Sequence, residues 1–284
     1  MTPLRTAAYL QQQFAGSAVA VRVLHDPQQL RQDYPLLAAV DRAAASVERH
    51  RGCVVFLEYV PQSYERTVML VGKACDELRP ALKVVAALGM VRNSVGEEAY
   101  VADELLRCRR GLAVRVGNTD AEGRMVMGDL LAEMCERAAA ERSPMLYTVA
   151  TLTGHAVRAY GLGYTAVLDN HAARAHGHAA AFRAAAERLG DMVEVSTVRR
   201  EDLAAHRGRV AGDHVHQADN AASSAMPRGH QAPAAFLLLV SGLHEADVPY
   251  AHLDVAASAG DLPNPPTAAP LLGLAAYYGL VAKR

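Results

Sequence analysis

The amino-acid sequence predicts an α/β fold in which a mainly parallel, mixed sheet is flanked by helices. Short runs rich in β-branched residues alternate with longer, alanine-rich runs of helical periodicity, as in a sheet covered by helices. The length of 284 residues is sufficient to bury a complete core of this kind. No internal repeat stands out, so the sequence favours a single domain over residues 1–284.

The strands are predicted where short apolar runs are bounded by polar or turn-forming residues. These runs are Val19 to Leu24, Cys53 to Tyr59, Thr67 to Val71, Leu82 to Leu88, Ala113 to Val116, Leu146 to Ala150, Thr165 to Leu168 and Ala251 to Val255.

Helices are predicted at the front of the chain and between these strands. They are Leu4 to Phe14, Pro35 to Arg49, Gly123 to Arg142, Gly154 to Tyr160, Ala172 to Leu189, Gln231 to Gly242 and Leu271 to Val281. In the helix that follows Gly123, apolar residues recur at helical spacing and should face the sheet; they are Met125, Leu130, Leu131 and Met134. The stretches 207–228 and 261–270 are predicted to be long loops.

Charge and composition exclude several classes of partner. The formal net charge of −1 provides no electrostatic basis for binding nucleic acid or an anionic membrane. The four cysteines have neither C-x-x-C nor secreted spacing, which indicates reduced thiols. No secretory leader pattern opens the chain, and no run approaches the roughly 20 apolar residues of a membrane span. A cytoplasmic location is therefore expected.

The most informative stretch is the octet from Asn118 to Met125, Asn-Thr-Asp-Ala-Glu-Gly-Arg-Met, directly after a predicted strand. In an extended segment residues i and i+2 point the same way, so Asp120 and Glu122 would converge on one cation. The alternative is an acidic surface turn in which Arg124 forms a salt bridge at the start of the next helix. A D-x-E pattern alone does not separate the two.

The whole octet resembles the signature of the leucine (cytosol) aminopeptidase family, which comprises dinuclear metalloexopeptidases. Two further blocks resemble family motifs, Ala150-Thr151-Leu152-Thr153-Gly154 and Pro249-Tyr250-Ala251-His252-Leu253-Asp254-Val255-Ala256. Other segments are similar to a divergent eukaryotic and bacterial branch, among them Met90 to Gly96, Arg199 to Asp202 and Pro227 to Gln231. The start of the chain resembles the start of the family's catalytic domain, so the resemblance implies that the N-terminal accessory domain is absent.

The resemblance assigns roles to individual residues. It implies metal ligation by Lys73, Asp120 and Glu122, with Mn²⁺ or Zn²⁺ as the cations, two per site in the family. Lys73 and Arg124 would be catalytic, and Arg124 would hold a bicarbonate that relays a proton. It also implies that peptide substrates bind against Asn118, Ala121, Thr151, Leu152 and Gly154, and that the chain forms a homo-oligomer, which is a hexamer in the family.

Each of these residues has a simpler structural interpretation. Lys73 could be a solvated lysine at a strand end, and residues 151–154 could be only a tight strand-to-helix turn. His155 stands where the family has a small residue and could narrow the cleft or cap that turn. A zinc site built from His171, His176, His178, His214 and His216 is disfavoured, because no Cys or carboxylate spacing completes a tetrahedral set.

One departure from the family pattern is large. In the family, the strand ending in Gly-Lys-Gly is followed by an Asp, a Gly-Gly pair, a second Lys and a further Asp. Here the chain passes from Lys73 through Asp76 to the next strand, so a family segment is missing between about 74 and 81. Asp76 lies three positions after Lys73 and has no Gly-Gly pair after it, so no ligand role is assigned to it.

Two functional hypotheses follow. In the first, the chain is a leucine-aminopeptidase-like metallopeptidase that removes N-terminal amino acids from peptides by metal-activated water. In the second, it is a catalytically inactive homologue or an incomplete gene model, acting at most as a binding or assembly subunit. The number of cations that can bind separates them, because three protein ligands cannot complete the shells of two cations.

Overall fold

The fold was analysed in a computed structural model, which describes residues 2–69, 81–221, 225–261 and 263–281. The helices of these ranges are α1 (Pro3–Gln13), α2 (Pro27–Asp33), α3 (Pro35–Asp41), α4 (Glu122–Ala138), α5 (Gly154–Tyr160), α6 (His171–Ala175), α7 (His178–Glu187), α8 (Arg200–Ala205), α9 (Gln231–Ser241) and α10 (Leu271–Tyr277). The strands are β1 (Val19–Leu24), β2 (Cys53–Tyr59), β3 (Arg66–Met69), β4 (Leu82–Met90), β5 (Leu105–Arg107), β6 (Ala113–Arg115), β7 (Pro144–Ala150), β8 (Thr165–Asp169), β9 (Val193–Ser196), β10 (Val215–His216) and β11 (Tyr250–Asp254).

Eight strands form one mixed sheet in the order β1-β2-β4-β3-β7-β11-β8-β9. The pairs β4·β3, β3·β7, β7·β11 and β8·β9 are parallel, and the other three pairs are antiparallel. The carboxyl ends of β4, β3, β7 and β11 therefore lie at the same edge. A smaller sheet, β10-β6-β5, stands beside the large one. The predicted α/β fold with a mixed sheet is confirmed.

Each face of the large sheet buries its own hydrophobic core. Helices α2, α3, α4 and α9 cover one face, where Met125, Leu146 and Phe236 have no exposed surface. On the other face α1, α7 and α10 cover the sheet, and Phe182 and Val167 are fully buried. The predicted stripe on α4 belongs to the first core, since its residues are all at most 5% exposed; these are Met125, Leu130, Leu131 and Met134.

Two predicted helices were wrong in extent. The helix predicted from Pro35 to Arg49 ends at Asp41, where the buried Asp41 carboxylate accepts a hydrogen bond from the Gly52 amide (2.9 Å). Two short 3-10 turns follow before β2. The helix predicted from Ala172 to Leu189 divides into α6 and α7, because Gly177 adopts a left-handed conformation with φ of 66°.

Some elements were not predicted from the sequence. They are helices α2 and α8 and strands β5, β9 and β10. Strand β10 interrupts the long loop expected over 207–228.

The connection between β3 and β4 is short for its topology. The two strands are parallel and adjacent, so the chain must return from one end of the sheet to the other between Met69 and Leu82. Parallel neighbours ordinarily need a crossover of about a dozen residues or more, most often a helix. Residues 70–81 provide about that minimum. Lys73 and Asp76 lie outside the described residues, as does the end of the strand predicted up to Val71.

Within the described ranges, no helix combines the length and the apolar character that crossing a bilayer requires.

Candidate functional site

The octet forms a turn followed by a helix, and the expected extended segment was wrong. The Asn118 side-chain oxygen accepts a hydrogen bond from the Asp120 amide (2.9 Å), and the Asn118 carbonyl accepts one from the Ala121 amide (3.2 Å). This local bonding bends the chain, as Asn commonly does in turns. Helix α4 then begins at Glu122. Asp120 is exposed and Glu122 is half-buried.

This turn lies beside the carboxyl ends of β4 and β7. Asn93, just after β4, donates its side-chain amide to the Thr119 carbonyl (3.0 Å). A Cβ on Gly123 would lie 3.1 Å from the Leu152 Cδ1 atom, just after β7. The octet and the segment 151–154 therefore meet at the edge where open α/β sheets form their active sites.

The charges of both carboxylates affect the pKa of the Tyr100 phenol. Its hydroxyl donates to the Thr119 carbonyl (2.6 Å). Burial raises the pKa of the Tyr100 phenol, and the charges of Glu122 and Asp120 raise it further. Both carboxylates thus act on the same side chain, although the two residues belong to different local structures.

Gln217 fixes the turn, and sequence analysis missed it because it lies in the predicted long loop. Its side-chain oxygen accepts hydrogen bonds from the Gly117 and Asn118 amides (3.0 and 2.9 Å). Its amide nitrogen donates to the Asn118 and Ala121 carbonyls (2.8 Å each). A Cβ on Gly117 would collide with the Ala218 carbonyl, so only glycine allows this approach.

Arg124 is buried at the first turn of α4, with 9% of its surface exposed. One guanidinium nitrogen, Nη1, donates to the Gln217 carbonyl (3.1 Å), while Nε has no partner among the described residues. Burial lowers the pKa of Arg124 to about 10, and the Glu122 charge opposes this change. A buried guanidinium with a free donor has the chemistry of a small-anion site.

The segment 151–154 is a strand-to-helix turn anchored by Asp254 at the end of β11. The fully buried Asp254 carboxylate accepts hydrogen bonds from the Leu152 amide (3.2 Å) and the Thr153 hydroxyl (2.7 Å). The Thr153 hydroxyl also caps α5 by accepting from the Ala156 amide (3.2 Å). The His155 ring packs against Gly229. The turn interpretation of this segment is therefore correct, and it leaves a role in the cleft open.

The described residues contain no group of three or more His, Cys, Asp or Glu side chains placed to hold a metal ion. This argues against the zinc interpretation of the histidines. His171 and His176 are exposed, whereas His178 hydrogen-bonds to the Tyr147 hydroxyl (2.6 Å) and His214 accepts from the Ala113 amide (3.0 Å). Asp120 and Glu122 are thus two candidate ligands without a third from the described part of the chain.

Two buried histidines lie near Arg124 beneath this edge. The Nδ1 atom of His252 is 2.8 Å from the Thr148 hydroxyl. The Nδ1 atom of His206 donates to the His216 carbonyl (2.7 Å). Burial is the main reason that the pKa of each is lowered to about 4, and the Arg124 charge contributes to this lowering. Both are therefore neutral at pH 7.

Known proteins resemble this chain in sequence. A family model described as the cytosol aminopeptidase family, catalytic domain, matches residues 73–270. A Caenorhabditis elegans protein named as an aminopeptidase is 36% identical over 99% of this chain and 62% of its own length. The cytosol aminopeptidase of Vibrio cholerae is 40% identical over 37% of this chain and 20% of its own length.

Solved structures show the same fold at low identity. Leucyl aminopeptidase from Trypanosoma brucei superposes with a TM-score of 0.83 at 19% identity, covering 99% of this chain and 57% of that one. The bottromycin maturation enzyme BotP in complex with Mn gives a TM-score of 0.81 at 22% identity, covering 98% and 66%.

The match to the nematode protein runs over 324 residues, 40 more than the 284 of this chain. The matched region of that relative therefore includes residues that this chain lacks. The chain spans about 62% of the relative's length. Because the family model matches well over half of the chain, the protein belongs to the cytosol aminopeptidase family.

Proposed function

We propose that this chain is a leucine-aminopeptidase-like metallopeptidase domain of the kind that removes the N-terminal residue of peptides, with a metal site too incomplete for rapid turnover by the chain as it stands. The observation that carries the proposal is that the turn bearing Asp120 and Glu122 contacts Asn93 after β4 through Thr119, and that Gly123 lies against Leu152, at the carboxyl edge of the sheet. Family membership supports the same reaction. A cytoplasmic location is proposed as well, because the family consists of cytosol aminopeptidases.

The cofactor proposed for this site is Mn²⁺ or Zn²⁺. Oxygen ligands such as Asp120 and Glu122 suit Mn²⁺ and are also used by Zn²⁺. Both carboxylates are proposed ligands of one cation, and a complete shell would need ligands beyond this pair. Lys73 is proposed as a further ligand and catalytic group. A divalent cation supplies Lewis-acid polarisation of a carbonyl and lowers the pKa of bound water.

The other residues are proposed to position the substrate and an anion. Asn118 and Ala121 flank the carboxylate of Asp120, and Thr151, Leu152 and Gly154 would line the cleft beside it. Asp254 holds Leu152 and Thr153 in place, so it would orient this wall. The Nε donor of Arg124, which has no partner in the described part of the chain, is proposed to bind a small anion such as bicarbonate, which would hold a proton near the reacting groups.

A second candidate is a non-catalytic homologue that binds peptide or assembles with other chains. It is favoured by the pair of carboxylates that lacks a third ligand among the described residues. The extra residues in the matched region of the nematode relative favour it as well. Cation binding and turnover therefore need separate tests.

We expect the chain to bind Mn²⁺ with a dissociation constant on the order of 0.1–1 mM, as weak sites with few protein ligands do. Asp120→Asn and Glu122→Gln should each weaken binding at least ~10-fold, because each removes one of two anionic ligands. Electron paramagnetic resonance of free Mn²⁺ measures both constants.

Glu187→Gln is the matched control, since Glu187 is an exposed carboxylate on α7, on the opposite face of the sheet. It should bind Mn²⁺ like the wild type. Binding that survives both site substitutions would place the cation elsewhere and would contradict the proposed site.

We also expect self-association. A cavity of about 480 Å³ with an apolar lining lies between α4 and the strands β4, β3 and β7. Apolar surface of this kind is commonly buried between subunits. Static light scattering at micromolar concentration should report a mass above the 30.3 kDa of the chain. A monodisperse monomer would contradict this expectation.

A further inference from the structure

We infer that Gln217 is a positioning residue that holds the turn from Asn118 to Glu122, and with it the backbone that carries Asp120 and Glu122, in a single conformation. This inference rests on the proposed function, because it concerns the site formed by Asp120 and Glu122. Gln217 itself supplies no ligand atom to that site.

The first argument is the completeness of its bonding. A glutamine side chain can accept two hydrogen bonds at its oxygen and donate two from its nitrogen. Gln217 makes all four, and every partner is a backbone group of residues 117–121. The side chain has no exposed surface, so water cannot replace these bonds.

The second argument is that the backbone of Gln217 is fixed independently. Its amide donates to the Arg115 carbonyl (2.8 Å), which continues the pairing of β10 with β6. Its carbonyl accepts from the buried Arg124 guanidinium (3.1 Å). The Gln217 side chain therefore extends from a backbone position that is fixed by hydrogen bonds, and it transmits that fixed position to the turn.

The third argument concerns the position of the bonds relative to the carboxylates. The carbonyls of Asn118 and Ala121, which accept from Gln217, flank Asp120 on both sides, and Ala121 directly precedes Glu122. The Asn118 carbonyl also accepts from the Ala121 amide (3.2 Å), so Gln217 adds a second hydrogen bond to that carbonyl and one to the Ala121 carbonyl. Partners that orient metal ligands commonly alter metal affinity about 10–100-fold when removed.

Gln217→Met tests the inference without adding charge, because methionine has similar length and makes none of the four hydrogen bonds. We expect its Mn²⁺ dissociation constant to rise about 10-fold or more. Hydrogen exchange at the Gly117 and Asn118 amides should also become faster, while thermal unfolding stays cooperative. Gln231→Met is the matched control at a second buried glutamine, which bonds to Ser196 and to no residue of the turn.

Gln217→Glu separates position from charge. It retains the acceptor for the Gly117 and Asn118 amides but loses both donations to the carbonyls. If Gln217 positions the turn, binding weakens even though a negative charge is added near the site. Tighter Mn²⁺ binding would show that charge dominates and would overturn the inference. If Gln217→Met does not fold, Mn²⁺ binding by Gln217→Glu still tests whether Gln217 positions the turn.

Two further outcomes distinguish failure of the Gln217 role from failure of the proposed cation site. Folded Gln217 variants that bind Mn²⁺ like the wild type, or that show unchanged amide exchange in the turn, overturn the role of Gln217 alone. A wild-type chain that binds no Mn²⁺ overturns the proposed cation site and this role with it.

Discussion

The purified chain should hydrolyse leucyl amides at a rate near background in the presence of Mn²⁺ or Zn²⁺. Asp120 and Glu122 have no third ligand among the described residues, and the matched region of the nematode relative includes residues that this chain lacks. Each lost group that stabilises developing charge commonly costs about 10²–10³-fold in rate, and a lost cation should cost more. Release of leucine from a leucyl amide, with and without chelator, measures this rate.

The residues that the nematode relative has and this chain lacks should restore chelator-sensitive turnover when they are inserted after Lys73. Glu122→Ala in the restored protein should then abolish it, whereas Glu187→Ala on α7 should not. Robust, chelator-sensitive turnover by the chain without the insertion would contradict the expectation. It would mean that Asp76 or another residue has taken over the ligand role.

The second large effect is a loss of stability in acid that depends on His206 and His252. Burial lowers the pKa of each to about 4, below the ordinary value of 6.5. Between these values the unfolded chain binds protons that the folded chain does not, so the free energy of unfolding falls as pH decreases through this window. From pH 7 to pH 5 each histidine should remove about 2 kcal/mol, and the pair about 4 kcal/mol.

Urea unfolding of the wild type and of His252→Gln at pH 7 and pH 5 measures this contribution. The variant is expected to be less stable than the wild type at pH 7, and the difference should shrink by about 2 kcal/mol at pH 5. The comparison between variants is needed because burial raises the pKa of Asp129 to about 7, which changes stability in the opposite direction over the same range.

His176→Gln is the control for an exposed histidine and should leave the pH dependence unchanged. A stability difference between wild type and His252→Gln that is the same at both pH values would show that His252 can take up a proton in the folded state. The assignment of this acid sensitivity to His252 would then be wrong.

The sequence by itself determined the elements whose signals are local. Strands β1 and β2 and helix α5 have the predicted bounds, because alternating or helical periodicity and the flanking turn residues act over a few neighbouring positions. The buried stripe on α4 follows from the same periodicity. The family was also readable from sequence, since its signature is contiguous from Asn118 to Met125.

Tertiary structure decided what depends on residues far apart in the chain. The turn at the start of the octet is held from about a hundred positions away by Gln217, which bonds to residues 117–121, and no local pattern marks Gln217 for that task. Asp254 likewise shapes the segment 151–154 from another strand. The short strands β5, β9 and β10 form only where partner strands are present. Local periodicity selects helix or strand, whereas the shape of the site follows from buried hydrogen bonds that only the folded chain can complete.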